Sequence, residues 1–161
     1  MVANFPSQSC IFVSAMNAIK KNIRELSLEE ITSFFAEKGH KGYRARQVWE
    51  WLWQKSVRSF DEMTNLSKVT RELLKEHFDL PAAALDTKQV SRDRTIKNAF
   101  KLHDGNIVEG VLIPTEDRIT ACVSSQIGCS LSCKFCATGY LGRKRNLNFD
   151  EIYDEVVLLN Q

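Results

Sequence analysis

Three cysteines that lie close together constrain this chain more than any other stretch of its sequence. Cys129, Cys133 and Cys136 follow the spacing C-x-x-x-C-x-x-C and are preceded by Gly128. Three thiolates on one short loop can hold three corners of a cubic iron–sulfur cluster and leave the fourth iron without a protein ligand. The spacing therefore predicts a 4Fe-4S cluster with one iron open for chemistry.

Structural zinc is the main alternative use of these cysteines. Structural zinc sites take four protein ligands, commonly from C-x-x-C pairs, and here Cys122 would have to bend back from its strand to supply the fourth. Unliganded thiols are the remaining alternative. Clustered cysteines in a chain of this size suit a metal or catalytic site in a reducing compartment better than a disulfide framework, and Cys10 lies far from the others. We therefore expect a cytoplasmic protein.

Composition describes a folded, soluble chain. Its 161 residues are 43% hydrophobic and 26% charged, which suffices for one ordinary core or two small ones. The net charge is only +2, so nucleic-acid affinity must come from local basic clusters and not from a global positive field. No apolar run approaches the roughly 18 residues that a membrane span needs, and we expect no membrane association.

The first half of the chain has the periodicity of short amphipathic helices. After an N-terminal extension, residues 1–22, a capping box of Ser27 and Glu30 predicts a helix from Leu28 to Lys38 that stops at Gly39. A second helix is predicted from Tyr43 to Lys55. A third helix should follow Ser67, with these apolar residues facing inward: Val69, Leu73, Leu74 and Phe78. Residues 23–85 are therefore predicted to form a small helical domain that ends in a linker.

In the second half the period changes from helical to alternating. Alternation from Ile96 to Leu102, a turn at Asp104-Gly105 and a returning strand from Ile107 to Ile113 predict a β-hairpin. A strand from Ile119 to Ser124 leads into the cysteine loop, and a helix is predicted to begin after Asn148-Phe149-Asp150. Strand, loop and helix suggest the first unit of a parallel β/α barrel over residues 86–161. The predicted fold class is α+β / α/β: a small N-terminal helical domain, a β-hairpin and the start of an incomplete barrel.

The cysteine spacing resembles the signature of radical S-adenosylmethionine (SAM) enzymes, and the flanking sequence is similar to one family of them. In that signature Phe135 occupies the aromatic position near the SAM adenine. The more specific motifs lie elsewhere and resemble the RlmN family of RNA methyltransferases. They are Tyr43-Arg44-Ala45-Arg46-Gln47-Val48-Trp49-Glu50-Trp51, Ser59-Phe60-Asp61-Glu62-Met63-Thr64-Asn65-Leu66, Asp104-Gly105-Asn106-Ile107-Val108-Glu109 and Cys122-Val123-Ser124-Ser125-Gln126-Ile127-Gly128-Cys129.

This resemblance implies a reaction at an aromatic ring carbon, which is too unreactive for ordinary methyl transfer. The family methylates carbon 2 of an adenine in 23S rRNA and, in some members, an adenine of tRNA. Its relative Cfr methylates carbon 8, which keeps a Cfr-like activity open as an alternative. The implied cofactors are a 4Fe-4S cluster and SAM. The implied partners are the RNA and an electron donor such as flavodoxin or ferredoxin, and a monomer is expected.

The resemblance also implies two catalytic residues upstream of the cysteine loop. Cys122 matches the cysteine that resolves a protein–RNA crosslink by attacking the linking sulfur, and Glu109 matches a carboxylate assigned as general base. Thiolate and carboxylate chemistry suit these roles. Considered without the resemblance, Cys122 is expected to be a buried strand cysteine and Glu109 a solvent-facing strand residue.

A small basic group precedes and opens the second helix. A solvated helix face is the favoured explanation for the arginines, although the charges of Lys41, Arg44 and Arg46 also permit contact with an RNA backbone. A non-catalytic RNA-binding module and a zinc-structured interaction module are therefore retained as alternatives to the enzyme.

The sequence ends at Gln161, after the first strand and helix of the expected barrel. A complete β/α barrel takes about 200 residues or more. The family's methyl-carrying cysteine, near its C-terminus, and its glycine-rich SAM motif have no counterpart here. We therefore expect an N-terminal fragment that cannot complete methyl transfer alone. Its free strand edge and uncovered helix face should make it prone to aggregate.

Overall fold

A computed structural model describes residues 20–161, and Cys10 with most of the expected N-terminal extension lies outside this range. The first part is mainly helical. Its elements in chain order are β1 (Lys21–Asn22), a 3₁₀ turn (Ile23–Glu25), α1 (Leu28–Glu37), α2 (Tyr43–Trp53), a second 3₁₀ turn (Phe60–Glu62), α3 (Lys68–His77) and β2 (Phe78–Asp79). Strands β1 and β2 pair in parallel and bring the two ends of this part together.

The helix boundaries follow the capping residues. Ser27 Oγ accepts a hydrogen bond from the Glu30 backbone N–H at 3.2 Å, and Glu30 Oε2 accepts one from the Ser27 N–H at 2.7 Å. This confirms the predicted capping box. Helix α1 ends at Glu37, two residues before Gly39, whose φ of +73° is a backbone conformation that favours glycine. Ser67 caps α3 as predicted by accepting from the Thr70 N–H.

The three helices enclose one apolar core, to which α1 and α2 contribute as predicted. The fully buried members on these helices are Ile31, Phe35, Ala45, Val48 and Leu52. The prediction for Val69 is wrong, because this side chain is 73% exposed. Helix α3 buries the stripe of Thr70 and Leu74 instead. The Thr70 hydroxyl is paired with Ser67 Oγ at 2.8 Å, so its burial leaves no polar group without a partner.

The second part is built on a four-stranded antiparallel sheet. Its strands are β3 (Ala84–Val90), β4 (Ile96–Lys101), β5 (Ile107–Pro114) and β6 (Ile119–Cys122), in the order β3-β4-β5-β6. Strands β4 and β5 are the predicted hairpin, and Gly105 in their turn has a φ of +80°. Strand β6 begins where the sequence predicted a strand and ends at Cys122.

One face of this sheet is covered by the last helix, α4 (Phe149–Leu159). Phe100 and Val108 on the covered face pack with Leu158 and Leu159 of the helix. The capping box of Asn148 and Glu151 starts α4 at Phe149, two residues earlier than the predicted start after Asp150. Strand alternation leaves the opposite face of the sheet open.

Within residues 20–161 the only parallel pairing is the two-residue pair of β1 and β2, and the four-stranded sheet is antiparallel throughout. Strand β6 pairs with β5 in the antiparallel sense, and α4 packs on the face of that antiparallel sheet. The fold is a mixture of four helices and antiparallel sheets, so the β/α barrel stays a prediction. None of the helices in this described part of the chain is long and apolar enough to cross a bilayer.

Four buried carboxylates fasten α4 to the rest of the molecule. Each is at most 6% exposed and bonds to a different segment. The pairs are Asp150 with Asn22, Glu151 with Arg145, Asp154 with Arg24 and the Ala83 N–H, and Glu155 with the Ser124 N–H. Helix α4 therefore connects the helical part, the sheet and the chain on both sides of the cysteine loop.

Candidate functional site

The cysteine loop is closed at its base by two short strands. Strand β7 (Gln126–Ile127) pairs with β8 (Arg145–Asn146), and the Leu147 N–H donates to the Ser125 carbonyl at 3.0 Å. Gly128 has a φ of +72°, and a Cβ on it would lie 1.7 Å from the Gly142 carbonyl oxygen. The loop between these glycines therefore leaves and rejoins the fold at nearly one point.

Within the loop, short turns hold the three cysteines. The Cys136 N–H donates to the Cys133 carbonyl at 3.1 Å, and the Gly139 N–H donates to the Cys136 carbonyl at 2.9 Å. A Cβ on Gly139 would lie 2.9 Å from the backbone nitrogen and oxygen of Cys133, so the backbone is closely folded here. The N–H groups of Gly139 and Thr138 lower the pKa of the Cys136 thiol, which favours the thiolate that binds metal.

The donor set of the loop fits an iron–sulfur cluster. Cys129, Cys133 and Cys136 are half-buried free thiols, and thiolates are the ligands of such clusters. Their side chains have not converged, since no group of three or more His, Cys, Asp or Glu residues in the described part of the chain has the arrangement of a metal site. The backbone supplies the loop and its closed base, and a bound cluster would draw the three sulfur atoms together.

Phe135 projects from this loop into solvent. Its side chain is 93% exposed, and Leu131 and Tyr140 beside it on the loop are also exposed. The Tyr140 hydroxyl donates to the Lys134 carbonyl at 2.6 Å, which ties the turn that carries Phe135 to the far side of the loop. The ring is therefore free to stack on a planar ligand.

Cys122 and Glu109 lie on the open face of the sheet. Cys122 pairs in register with Val111, which is two residues from Glu109 and therefore shares its face. Diagonal neighbours of this kind lie about 7–8 Å apart. Both residues are exposed. Considered without the family resemblance, Cys122 was expected to be buried. This expectation is wrong, because β6 is an edge strand and this face of the sheet is uncovered.

A lysine that the sequence reading missed pairs with Glu109. Lys97 Nζ lies 2.9 Å from Glu109 Oε1, and both side chains line a cavity of about 180 Å³ with Thr87 and Gln89. The hairpin register could have revealed this neighbour, because Ala99 opposes Glu109 and Lys97 lies two residues away on the same face.

Glu155 of α4 supports the segment between Cys122 and the loop. Its Oε2 accepts the Ser124 N–H at 3.0 Å, and its Oε1 is buried without a hydrogen-bond partner among residues 20–161. Burial raises the pKa of Glu155 to about 7. The Ser124 hydroxyl in turn donates to the Glu109 carbonyl at 3.0 Å, so these bonds link α4 to the strand that carries Glu109.

Arg145 fixes the end of the loop where the chain returns to the fold. Its guanidinium bonds to Asp104 and to Glu151. Partial burial alone would raise both carboxyl pKa values. The hydrogen bonds from Arg145 outweigh it only together with those from Asn106 to Asp104 and from the Asn148 N–H to Glu151, so the pKa of Asp104 falls to about 2 and that of Glu151 is also lowered. Reading the sequence for apolar periodicity gave no signal for this network, because its members lie far apart along the chain.

The basic residues near α2 are not gathered into one patch. Lys41 and Arg46 are exposed, whereas Arg44 stacks on Tyr43 and donates to Gln47 Oε1 at 3.0 Å. Arg46 lies on a different side of the helix from Arg44, because residues two positions apart do not face each other.

The helical part matches a known family model, and the fold is similar to a known crystal structure. Residues 15–80 match the family model described as "Ribosomal RNA large subunit methyltransferase N-terminal domain", RlmN_N. A crystal structure of a radical SAM methyltransferase from Sphaerobacter thermophilus is similar in three dimensions, with a TM-score of 0.72 at 37% sequence identity. The similarity covers 86% of this chain and 41% of that one, so it includes both parts of the fold.

Curated relatives match nearly the whole chain. The "Probable dual-specificity RNA methyltransferase RlmN" of Cytophaga hutchinsonii is 62% identical over 142 residues, which cover 88% of this chain and 39% of the relative. The "Dual-specificity RNA methyltransferase RlmN" of Oleidesulfovibrio alaskensis is 48% identical over 142 residues, covering 87% and 40%. The chain thus spans about two-fifths of the length of the curated relatives it matches. Together with the match to the N-terminal domain and the three-dimensional similarity, these identities show that nearly the whole chain is similar to about two-fifths of RlmN-type RNA methyltransferases.

Proposed function

We propose that this chain carries the cluster-binding and RNA-facing part of a radical SAM methyltransferase that acts on carbon 2 of an adenine. One observation carries the proposal. Cys122 and Glu109 share the open face of the sheet, and the chain runs from Cys122 directly into the loop with the three free thiols. A nucleophile, a base and a cluster loop are thus supplied by consecutive elements.

In this proposal each residue has a distinct role. Cys129, Cys133 and Cys136 hold three irons of a 4Fe-4S cluster, which with SAM supplies the radical chemistry when bound. The exposed ring of Phe135 stacks against the SAM adenine. Glu109 would accept a proton from the adenine. The Cys122 thiolate would form a disulfide with the sulfur that links protein and RNA, while the bond from that sulfur to the RNA-bound carbon breaks and the carbon takes up a proton. The open face gives both side chains access to a base.

The RNA partners follow from the family. We propose 23S rRNA as substrate, with tRNA as a second substrate, since relatives of this chain are named dual-specificity RNA methyltransferases. Lys41, Arg44 and Arg46 are proposed to contact the RNA backbone, and a flavodoxin or ferredoxin to supply the electron. Arg44 would first have to release Gln47.

Anaerobic reconstitution tests the cluster. The chain should take up about four iron and four sulfide per molecule and turn brown, and SAM should change the electron paramagnetic resonance spectrum of the reduced cluster. Cys133→Ser should lose most of the iron. Cys122→Ser should keep it and serves as the matched control, since Cys122 lies outside the ligand loop. One tightly held zinc per chain would replace this proposal by the zinc-structured module.

The reaction can be tested in a chimera. Residues 20–161 replace the matching part of the Cytophaga relative, and the modified RNA is digested and identified by mass spectrometry and chromatography. We expect 2-methyladenosine, which Glu109→Gln and Cys122→Ala should abolish while cluster content is kept. Formation of 8-methyladenosine would favour the Cfr-like activity.

RNA binding is tested separately by titration with an RNA fragment at several salt concentrations. Changing Lys41, Arg44 and Arg46 to alanine should weaken binding and reduce its salt dependence, because fewer counterions are released. Changing the three exposed cations Lys68, Lys88 and Arg92 instead is the control for net charge. Equal losses in both variants would contradict the proposed contacts of these three residues with RNA.

A further inference from the structure

Arg145 uses all of its hydrogen-bond donors. A guanidinium has five N–H groups, and here five contacts of 3.1 Å or less are made. Nε donates to Asp104 Oδ2 at 2.9 Å, and Nη2 donates to the same oxygen at 2.6 Å and to Glu151 Oε1 at 2.8 Å. Nη1 donates to Glu151 Oε2 at 2.7 Å and to the Asn146 carbonyl at 3.1 Å. The side chain is therefore held in one orientation.

The two carboxylates are themselves fixed to their own elements. Asp104 accepts the Asn106 N–H at 3.0 Å, which shapes the turn between β4 and β5. Glu151 accepts the Asn148 N–H at 2.9 Å, which is part of the capping box of α4. Because neither carboxylate can move without disturbing its element, Arg145 joins the hairpin turn, the start of α4 and strand β8 into one rigid support.

This support lies where the cysteine loop returns to the fold. Arg145 is paired with Ile127, and the residue after Ile127 is Gly128 at the start of the loop. A second tie comes from Lys144, whose Nζ donates to Asn106 Oδ1 at 2.7 Å and whose N–H donates to the Ile127 carbonyl at 2.9 Å. Strand β8, which leaves the loop, is thus attached to the four-stranded sheet and to α4. Strand β7, which leads into the loop, is paired with β8.

We propose that Arg145 is a positioning residue for cluster binding, which holds the two ends of the cysteine loop together by bridging Asp104 and Glu151. This inference rests on the proposed function of the loop. The entropy lost when three thiols close around one cluster is smaller if the ends of their loop are already joined. Within residues 20–161 the hydrogen bonds of the Arg145 side chain go to Asp104, Glu151 and Asn146 and not to a cysteine, so Arg145 acts through the closed base.

Arg145→Met tests the inference in the full chain. After reconstitution, we expect iron loss to a chelator to become about tenfold faster, the size of effect typical of residues that support metal ligands. Arg145→Lys should be intermediate, because one ammonium cannot bridge both carboxylates with paired bonds. Hydrogen exchange of the Lys144 and Leu147 amides, which close the base, should accelerate in the cluster-free Arg145→Met protein.

A stability control separates positioning from general weakening. Ile31→Val lowers stability in the helical core, far from the loop, by about 0.5–1.5 kcal/mol, and it should leave iron loss and these two amides unchanged. Unchanged iron loss and amide exchange in Arg145→Met would overturn the inference. If the wild-type chain binds no cluster, the proposed function fails, while amide exchange still decides whether Arg145 holds the base. Asp104→Asn, which removes one side of the bridge, replaces Arg145→Met if that variant does not fold.

Discussion

Gly128 and Gly105 share a left-handed backbone but differ in their surroundings. Their φ values are +72° and +80°, yet a Cβ on Gly128 would overlap the Gly142 carbonyl, whereas one on Gly105 would meet nothing within 4 Å. Gly105→Ala should therefore cost only about 1–2 kcal/mol for the backbone conformation. Gly128→Ala should cost clearly more, because the two ends of the loop must separate. Urea unfolding of both variants measures the difference, and equal losses would contradict the close contact at the loop base.

Glu155 makes stability depend on pH. Burial raises its pKa from the ordinary value of 4.5 to about 7, so the folded state binds the proton more tightly than the unfolded state. Its contribution is complete below pH 4.5 and is lost as pH rises through about 7, by on the order of 1–3 kcal/mol. In Glu155→Gln the unfolding free energy should lack this decline.

The measurement is urea unfolding at several values between pH 4.5 and 8, with wild type and variant compared at each. Glu116→Gln, at an exposed position, is the matched control and should keep the wild-type slope. A wild-type slope in Glu155→Gln would show that Glu155 does not titrate in this range.

For single residues, the sequence predicts those contacts whose partners are close along the chain. The cysteine loop and the Ser27–Glu30 capping box can be identified from the sequence, because a few neighbouring positions define each of them. Lys97, Arg145 and Glu155 were missed, since their partners come from other elements and depend on register and packing. The roles of Glu109 and Cys122 came from the resemblance, and the structure adds that both lie on one open face.

Elements were predicted well where periodicity was strong. Helices α1, α2 and α3 and the β4–β5 hairpin lie where expected, with ends that differ by two residues or fewer. Periodicity did not predict which stripe of α3 is buried. Val69 and Thr70 are adjacent in the sequence, and packing against α1 and the 3₁₀ turns decides which of them faces the core. Periodicity also could not reveal that α4 buries four carboxylates, since charged residues are ordinarily assigned to the solvated face.

Arg24 joins the helical part to α4 through a buried ion pair. Its Nη1 lies 2.6 Å from Asp154 Oδ1, and the two side chains are 0% and 8% exposed. Arg24→Met should cost about 3–5 kcal/mol, because the Asp154 carboxylate then stays buried without its cation. The double variant with Asp154→Asn should lose less than the sum of the single losses. Urea unfolding of all four proteins measures this coupling, and strictly additive losses would contradict it.

At the scale of the whole molecule, an apolar groove lies between the sheet and α4. It encloses about 580 Å³, and Ile119 and Val156 on its walls are 68% and 48% exposed. Both outer strands of the sheet, β3 and β6, also have edges that no other strand of residues 20–161 pairs with. Contiguous apolar surface beside free strand edges favours self-association.

Ile119→Lys with Val156→Lys should therefore reduce self-association, which sedimentation velocity measures over a range of protein concentrations. Val69→Lys is the control, because Val69 is 73% exposed, more than either groove residue, but lies on α3 and does not line the groove. If the control lowers association as much as the double variant, added charge and not the groove is responsible.

The whole-molecule arrangement was the least predictable from the sequence. A helical part followed by strands was expected, and so was the hairpin. The barrel expectation rested on reading strand, loop and helix as a parallel unit, whereas β6 is paired with the antiparallel hairpin. Long-range strand pairing leaves no local pattern in the sequence, so it depends on which partners are available to the strand.

Because its base is closed, the cysteine loop can be replaced as a unit. Because Gly128 and Gly142 bring its two ends together, the span between them can be replaced by a sequence of another length without altering the distance between β7 and β8. Loops with other ligand sets could thus be grafted onto the same support. The same geometry lets natural variation in the loop proceed without changing the scaffold beneath it.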